Sequence, residues 1–211
     1  MQLSNGPKEN RTRPAINPLF RSAARAYQHR VIGVILTGLL DDGVAGLAEI
    51  KRKGGVAVVQ DPRTALFPSM PESALRHVEV DHVAPLSDIG GLIAKLAITE
   101  RNAVQREEPM ERTSSQLTCP ECRGPLSEER QGTIVEYRCR VGHVYTPLAM
   151  EQEHHDTVER TLWSTIVALE EAADIAELLA PELGLHSLER ARKKRQQAAV
   201  LRAMFNEIPG M

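Results

Sequence analysis

The chain has 211 residues, room for one large or two small domains. Hydrophobic residues make up 42% and charged residues 26%, an ordinary globular balance, while aromatics at 3% leave the core to Leu, Val, Ile and Ala. Lys plus Arg (26) against Asp plus Glu (28) gives a net charge of −2, which excludes a global field drawing the chain onto nucleic acid or an anionic membrane, and no uncharged run approaches a transmembrane helix.

The first segment, MQLSNGPKENRTRP, is polar and has no apolar stretch, so the expectation is a cytoplasmic protein without a secretory signal. Asn17-Pro18 reads as a cap and first-turn pair, followed by LFRSAARAY at helical spacing. VIGVIL (31–36) is a continuous apolar run rich in branched residues, the pattern of a buried strand. Residues 43–53 read as a helix with Val44, Leu47 and Ile50 on one face, stopped by Gly54-Gly55, and VAVVQ (56–60) as a second strand. Ser69 and Glu72 form a candidate capping box that opens the helix MPESALRHV. VDHVAPL (80–86) is a third, weaker strand, and Ser87 the candidate cap of the helix DIGGLIAKLAIT. Strands separated by single helices give parallel βαβ units, so the fold class expected for residues 1–99 is α/β, with a parallel sheet.

Residues 100–116, ERNAVQREEPMERTSSQ, read as a polar linker with almost nothing to bury. All three cysteines fall in 117–147. From Pro147 the pattern is helical, with Leu162, Ile166, Leu169, Ala173 and Ala176 at alternating fours and threes. Pro181 and Gly184 break it before a second helix over about 187–205, so residues 148–211 are expected to form an antiparallel helical hairpin. The basic run Arg192-Lys193-Lys194-Arg195 reads as a solvated helix face.

Cys119-Pro-Glu-Cys122 and Cys139-Arg-Val-Gly-His143 form two knuckles separated by sixteen residues. Such spacing suits a structural zinc ion: each tight turn supplies two soft or borderline ligands, and a hairpin of IVEYRC paired on PLSEE, turning near Gln131-Gly132, brings the turns together. Four protein ligands leave no open position for catalysis, so Cys119, Cys122, Cys139 and His143 are read as a zinc-ribbon-like module. The alternative is three small buried hydrophobes. The charges within 119–143 cancel and Tyr137 is the one stacking aromatic short of the second knuckle, so no nucleic-acid partner is expected.

The first strand leads into Thr37-Gly38-Leu39-Leu40-Asp41-Asp42-Gly43. In an open parallel sheet, chemistry gathers beyond the carboxyl ends of strands. Composition leaves two roles open for Asp42, a catalytic carboxylate or a cap of the helix that starts at Gly43. No P-loop, G-x-G-x-x-G or G-x-S-x-G motif is present.

Three stretches together, GPKENRTRPAINPLFRSAARAY, VIGVILTGLLDDGVAGL and GGVAVVQDP…FPSMPESAL, resemble the C-terminal half of the chemotaxis protein-glutamate methylesterase (CheB) domain over about residues 5–97. TCPEC and YRCRVGHVYTP resemble an extension found in members of that family. The resemblance implies an incomplete, doubly wound sheet and a Ser-His-Asp esterase that removes methyl groups from glutamate esters on methyl-accepting chemoreceptors and deamidates glutamines, within two-component signalling. It implies that TGLLDDG matches the family's TGMGNDG segment and that Asp42 is the triad acid, with Leu39 and Leu40-Asp41 replacing Met and Gly-Asn. The family's Ser and His lie upstream of the matched region, so this chain by itself is expected to be inactive. The alternative is a non-catalytic adaptor that docks a signalling partner through the ribbon and hairpin. No membrane insertion and no cofactor for catalysis are expected.

Overall fold

The computed structural model describes residues 6–99 and 109–206, and the chain divides into two compact units, residues 1–153 and 154–211. The first part of the expected linker, 100–108, lies outside the described residues.

In the first unit, β1 (Ile32–Ile35), β2 (Val56–Gln60) and β3 (His82–Ala84) form a parallel sheet in that order, with Ile32 opposite Val56 and Val58 opposite His82. The helices α1 (Ile16–Tyr27), α2 (Val44–Arg52), α3 (Ser69–His77) and α4 (Leu86–Ala97) complete the alternation expected of βαβ units. Val44, Leu47 and Ile50 of α2 are buried together with Ile35, Val59 and Ala74. The apolar stripe read from the sequence is therefore the face that closes the sheet. Gly46 lets α1 and α2 approach, since a Cβ there would lie 2.6 Å from the Phe20 Cβ.

The caps differ from expectation. Asn17 is not a cap: α1 begins at Ile16, and the buried Asn17 Oδ1 accepts the Gly46 N–H at 2.8 Å, joining α1 to α2. Ser69 makes no capping box. Its hydroxyl donates to the Leu40 carbonyl at 3.3 Å, and Pro68 holds the N-cap position. Ser87 lies inside α4 and bonds Asp88, with Pro85 as N-cap. At Asn17 and Ser69 an amide or hydroxyl that fits a local cap has found a partner in another element, and at Ser87 the hydroxyl has turned to its neighbour's side chain.

A second sheet runs β4 (Glu111–Thr118), β5 (Pro125–Gln131), β6 (Ile134–Cys139) and β7 (Val144–Tyr145), antiparallel throughout. β5 and β6 are the hairpin read from PLSEE and IVEYRC, turning at Gly132-Thr133 with Gln131 opposite Ile134. β4 corrects the linker reading, because residues 111–116 are strand. Their side chains are almost all exposed, so no period-2 apolar signal marks them. The second sheet is docked on the first layer rather than tethered beside it. Ile134 packs on the apolar core around Leu47, the Thr133 hydroxyl donates to the His77 carbonyl at 2.9 Å, and Arg21 of α1 pairs with Glu136 at 3.1 Å and with Glu9.

α5 (Pro147–Leu178) starts in the first unit and runs into the second, where α6 (Ala180–Leu183) and α7 (Leu185–Asn206) follow. The second unit is an antiparallel hairpin. Ile166 and Ala173 of the predicted stripe are buried, as are Ala191 and Ala198 of α7. The Ser187 hydroxyl donates to the Ala176 carbonyl at 2.7 Å, and Trp163 meets Phe205 edge-on at 4.8 Å. Arg195, expected as a solvated charge, is exposed but pairs with Asp174 at 2.8 Å and Glu177 at 2.9 Å. Among the described residues no helix is long and apolar enough to cross a membrane.

Candidate functional site

The two knuckles converge. The ligand atoms of Cys119, Cys122, Cys139 and His143 all lie within 4.8 Å of one another. Cys122 Sγ and Cys139 Sγ are 3.7 Å apart, and His143 Nδ1 lies 3.7 Å from Cys119 Sγ and 3.5 Å from Cys139 Sγ. A tetrahedral metal with metal–sulfur bonds of about 2.3 Å and metal–nitrogen bonds of about 2.0–2.1 Å needs edges of about 3.8 and 3.6 Å. These three separations are close to such edges, and the donor set could hold a metal ion.

Backbone hydrogen bonds build each turn. The Arg123 N–H donates to the Cys119 carbonyl at 2.8 Å, and the Gly142 N–H to the Cys139 carbonyl at 3.1 Å. The second knuckle also favours its thiolate. Burial opposes ionisation of Cys139, but the N–H groups of His143 and Gly142 outweigh it and bring the thiol down to about 7. At Cys122 the Gly124 N–H favours the thiolate, yet burial and the neighbouring sulfurs prevail and the thiol is pushed up. The Tyr145 hydroxyl stands 3.8 Å from Cys119 Sγ, and burial, then the Cys119 charge, drives its pKa well above the ordinary phenol range.

Asp42 lies in the loop between β1 and α2, beyond the carboxyl end of β1. It does not cap α2, whose N-cap is Gly43. Instead its carboxylate caps α1 from outside the helix: Oδ2 accepts the Ile16 N–H at 2.6 Å, and Oδ1 accepts the Asn17 N–H at 3.3 Å and the Asn10 side-chain N–H at 3.4 Å. Two oxygens offer about four lone-pair positions, so three acceptances leave room for one more donor. Among the described residues, no histidine hydrogen-bonds Asp42.

Asp41 points elsewhere. It is buried, with Oδ1 accepting the Thr146 hydroxyl at 2.7 Å. Burial pushes its carboxyl up, Thr146 opposes this, and the Asp42 charge adds to the rise. Three further residues escaped sequence reasoning. Asn10 takes a left-handed conformation (φ 46°), Thr146 follows the second knuckle, and Arg21 lies between Glu9 and Glu136. Desolvation opposes the charge on Arg21, but Glu136 and Glu9 outweigh it and hold its pKa up. Both GPKEN and VGHVYTP stand out as motifs, yet the Asn10–Thr146 contact spans 136 positions, beyond any local pattern.

Residues 1–93 match a family model described as CheB methylesterase. A Leptospira interrogans protein carrying the provisional name protein-glutamate methylesterase/protein-glutamine glutaminase is 46% identical over 104 residues, covering 49% of this chain and 53% of its own length. The protein-glutamate methylesterase/protein-glutamine glutaminase of Pyrococcus horikoshii is 39% identical over 93 residues, 44% of this chain and 25% of its own. The chain thus spans about half the length of the first relative and a quarter of the second. Among solved structures, the Thermotoga maritima CheB methylesterase catalytic domain matches 46% of this chain and 48% of its own at 30% identity, with a TM-score of 0.40.

Proposed function

We propose that this chain, whose residues 1–93 belong to the CheB methylesterase family, contributes the acid of a Ser-His-Asp esterase acting on glutamate methyl esters of chemoreceptors, and on receptor glutamines by deamidation. The observation that carries the reading is Asp42. It sits in the family-matched segment, beyond the end of a parallel strand, with its carboxylate fixed by three donors and room for a fourth. In a triad that fourth donor is the imidazole N–H: the carboxylate holds the ring in the right tautomer and stabilises the imidazolium as the serine attacks the ester. The nucleophile and the histidine come from the part of the domain outside this sequence, which also completes the doubly wound sheet. The division into an esterase part (1–99), a ribbon (117–147) and a helical hairpin (148–211) belongs to the same proposal, as does a cytoplasmic setting in two-component signalling.

The metal is zinc in this reading, supported by the Cys3His donor set and by three of its separations lying near tetrahedral edges. When bound, it supplies structural cross-linking of the two knuckles and no chemistry, because four protein ligands leave no position for water. A second reading, a non-catalytic adaptor using ribbon and hairpin, is favoured by the same carboxylate having no histidine partner among the described residues.

Methanol release from methylated receptor separates the two. The 211-residue chain is expected to give only background. Joined to the segment carrying the Ser and His, it should demethylate, and Asp42→Asn there should cost on the order of 10⁴ in rate. Release by the chain alone that survives Asp42→Asn but is lost in Ser69→Ala would overturn the reading.

A further inference from the structure

The four consecutive residues His143–Thr146 join the metal knuckle to the acid loop. His143 is a metal-ligand candidate at one end. Val144 accepts the Asn10 N–H at 2.8 Å through its carbonyl. Thr146 donates its N–H to Asn10 Oδ1 at 3.0 Å and its hydroxyl to Asp41 Oδ1 at 2.7 Å, while the same hydroxyl accepts the Ala149 N–H at 3.2 Å. Asn10 in turn donates to Asp42 Oδ1 at 3.4 Å. Thr146, Asn10 and Asp41 are all buried, so these bonds run with little competition from water. The knuckle also rests on the same segment: a Cβ on Gly142 would lie 3.1 Å from Pro7 Cγ, and Lys8 pairs with Glu121 at 3.0 Å.

We propose that Asn10 and Thr146 are positioning residues for the Asp42 carboxylate, and that the Cys139–His143 knuckle keeps them in place, so that loading or stripping the metal sets the order of the acid loop. The knuckle fixes where residue 143 sits. Residue 146, three positions on, then sets its hydroxyl against Asp41. Asn10 is held from both sides and presents its amide N–H to Asp42. Neither residue touches a reacting atom, and both act through the acid. Losing the knuckle frees residues 144–146, and the Asp42 carboxylate then loses its link to Asn10 and keeps the Ile16 and Asn17 amides. The purpose of the arrangement rests on Asp42 being the triad acid; its existence does not.

Amide hydrogen exchange on the full 211-residue chain tests it, read by mass spectrometry for the zinc-loaded protein, the chelator-stripped protein, and zinc-loaded Thr146→Val and Thr146→Ser. Stripping should speed exchange at the Ile16 and Asn17 amides and across residues 37–46, while β2 stays protected. Thr146→Val should do the same with metal still bound, by roughly five- to tenfold, the effect of one buried hydrogen bond. Thr146→Ser, which keeps the hydroxyl, should restore slow exchange. Unchanged exchange at residues 16–17 and 37–46 on stripping would overturn the coupling, as would a chain that takes up no zinc. Equal behaviour of the Val and Ser variants would overturn the role of the hydroxyl. If Thr146→Val fails to fold, the stripping arm still decides. Methanol release is not part of the readout, so failure of the esterase reading would appear separately.

Discussion

The two sheets of the first unit are held by different forces. The parallel sheet closes over an apolar cluster from five elements, with Leu47, Ile50, Ala57 and Val59 fully buried. The antiparallel sheet has a smaller core of Cys119, Leu126, Cys139, Tyr145 and Met150, two of which are metal-ligand candidates. One layer is stabilised by area removed from water, while the other gathers donors at a point where, in the proposed reading, zinc would hold them. A perturbation aimed at one mechanism should therefore miss the other, except where residues 133–146 touch the first layer.

The largest expected effect is loss of the metal. Structural zinc is worth about 10–16 kcal/mol of apparent binding free energy in small modules, far more than so small a core supplies. Chelation, or Cys139→Ala, should unfold β4–β7 and leave β1–β3 folded. Circular dichroism and exchange resolved along the chain would show protection lost over 117–146 and kept over 56–60. Because Ile134, Thr133 and Glu136 dock on the first layer, that layer should also become looser at His77 and Arg21. A single cooperative loss of both sheets would erase the comparison.

The converse cut is Leu47→Ala. Leu47 is 0% exposed, and truncating a leucine in such a site costs about 2–5 kcal/mol through lost burial and the cavity left behind. Urea unfolding followed at the parallel sheet should show this loss. Zinc content measured in the folded variant should stay at one ion per chain. A variant that loses its metal at low urea would mean that the knuckles depend on the first layer for their shape.

What the sequence disclosed follows the same division. β2 matches VAVVQ residue for residue, and the stripe Val44, Leu47, Ile50 is buried as read, because apolar period and strand length are local signals. The knuckles were legible because two tight turns with paired ligands are local as well. What stayed hidden is long-range and polar. Asn17 and Ser69 each carry a plausible cap signal, and each bonds a residue outside its own helix. Asp42 caps a helix 26 positions earlier in the chain, and Thr146 bonds a carboxylate 105 positions away. No spacing rule reaches that far, and β4, exposed almost throughout, offers no apolar period at all.

The smallest expected effect is the response of the ribbon to acid, and it sharpens the comparison because its carboxylate lies in β5. Burial alone would raise the Glu129 pKa, but Arg138 at 3.0 Å and Arg112 outweigh it and hold the carboxyl below the usual glutamate range. A group lowered on folding stabilises the fold above its unfolded pKa, and that stability is lost as pH falls through its folded value. Glu136 has the opposite sign: burial outweighs Arg21 and raises its pKa, so its cost appears as pH rises from the ordinary carboxyl range through the raised value. Arg112 is largely exposed, which limits the Glu129 contribution to about 1 kcal/mol or less. Urea midpoints measured from roughly pH 7 down to 3 should therefore show Glu129→Gln less stable than the parent at neutral pH, with the gap closing as pH falls. Taking the difference between variant and parent removes the loss of metal by thiolate protonation, which both share. A gap that stays constant over the whole range would mean the Arg112–Glu129–Arg138 cluster contributes no pH-linked stability to the antiparallel sheet.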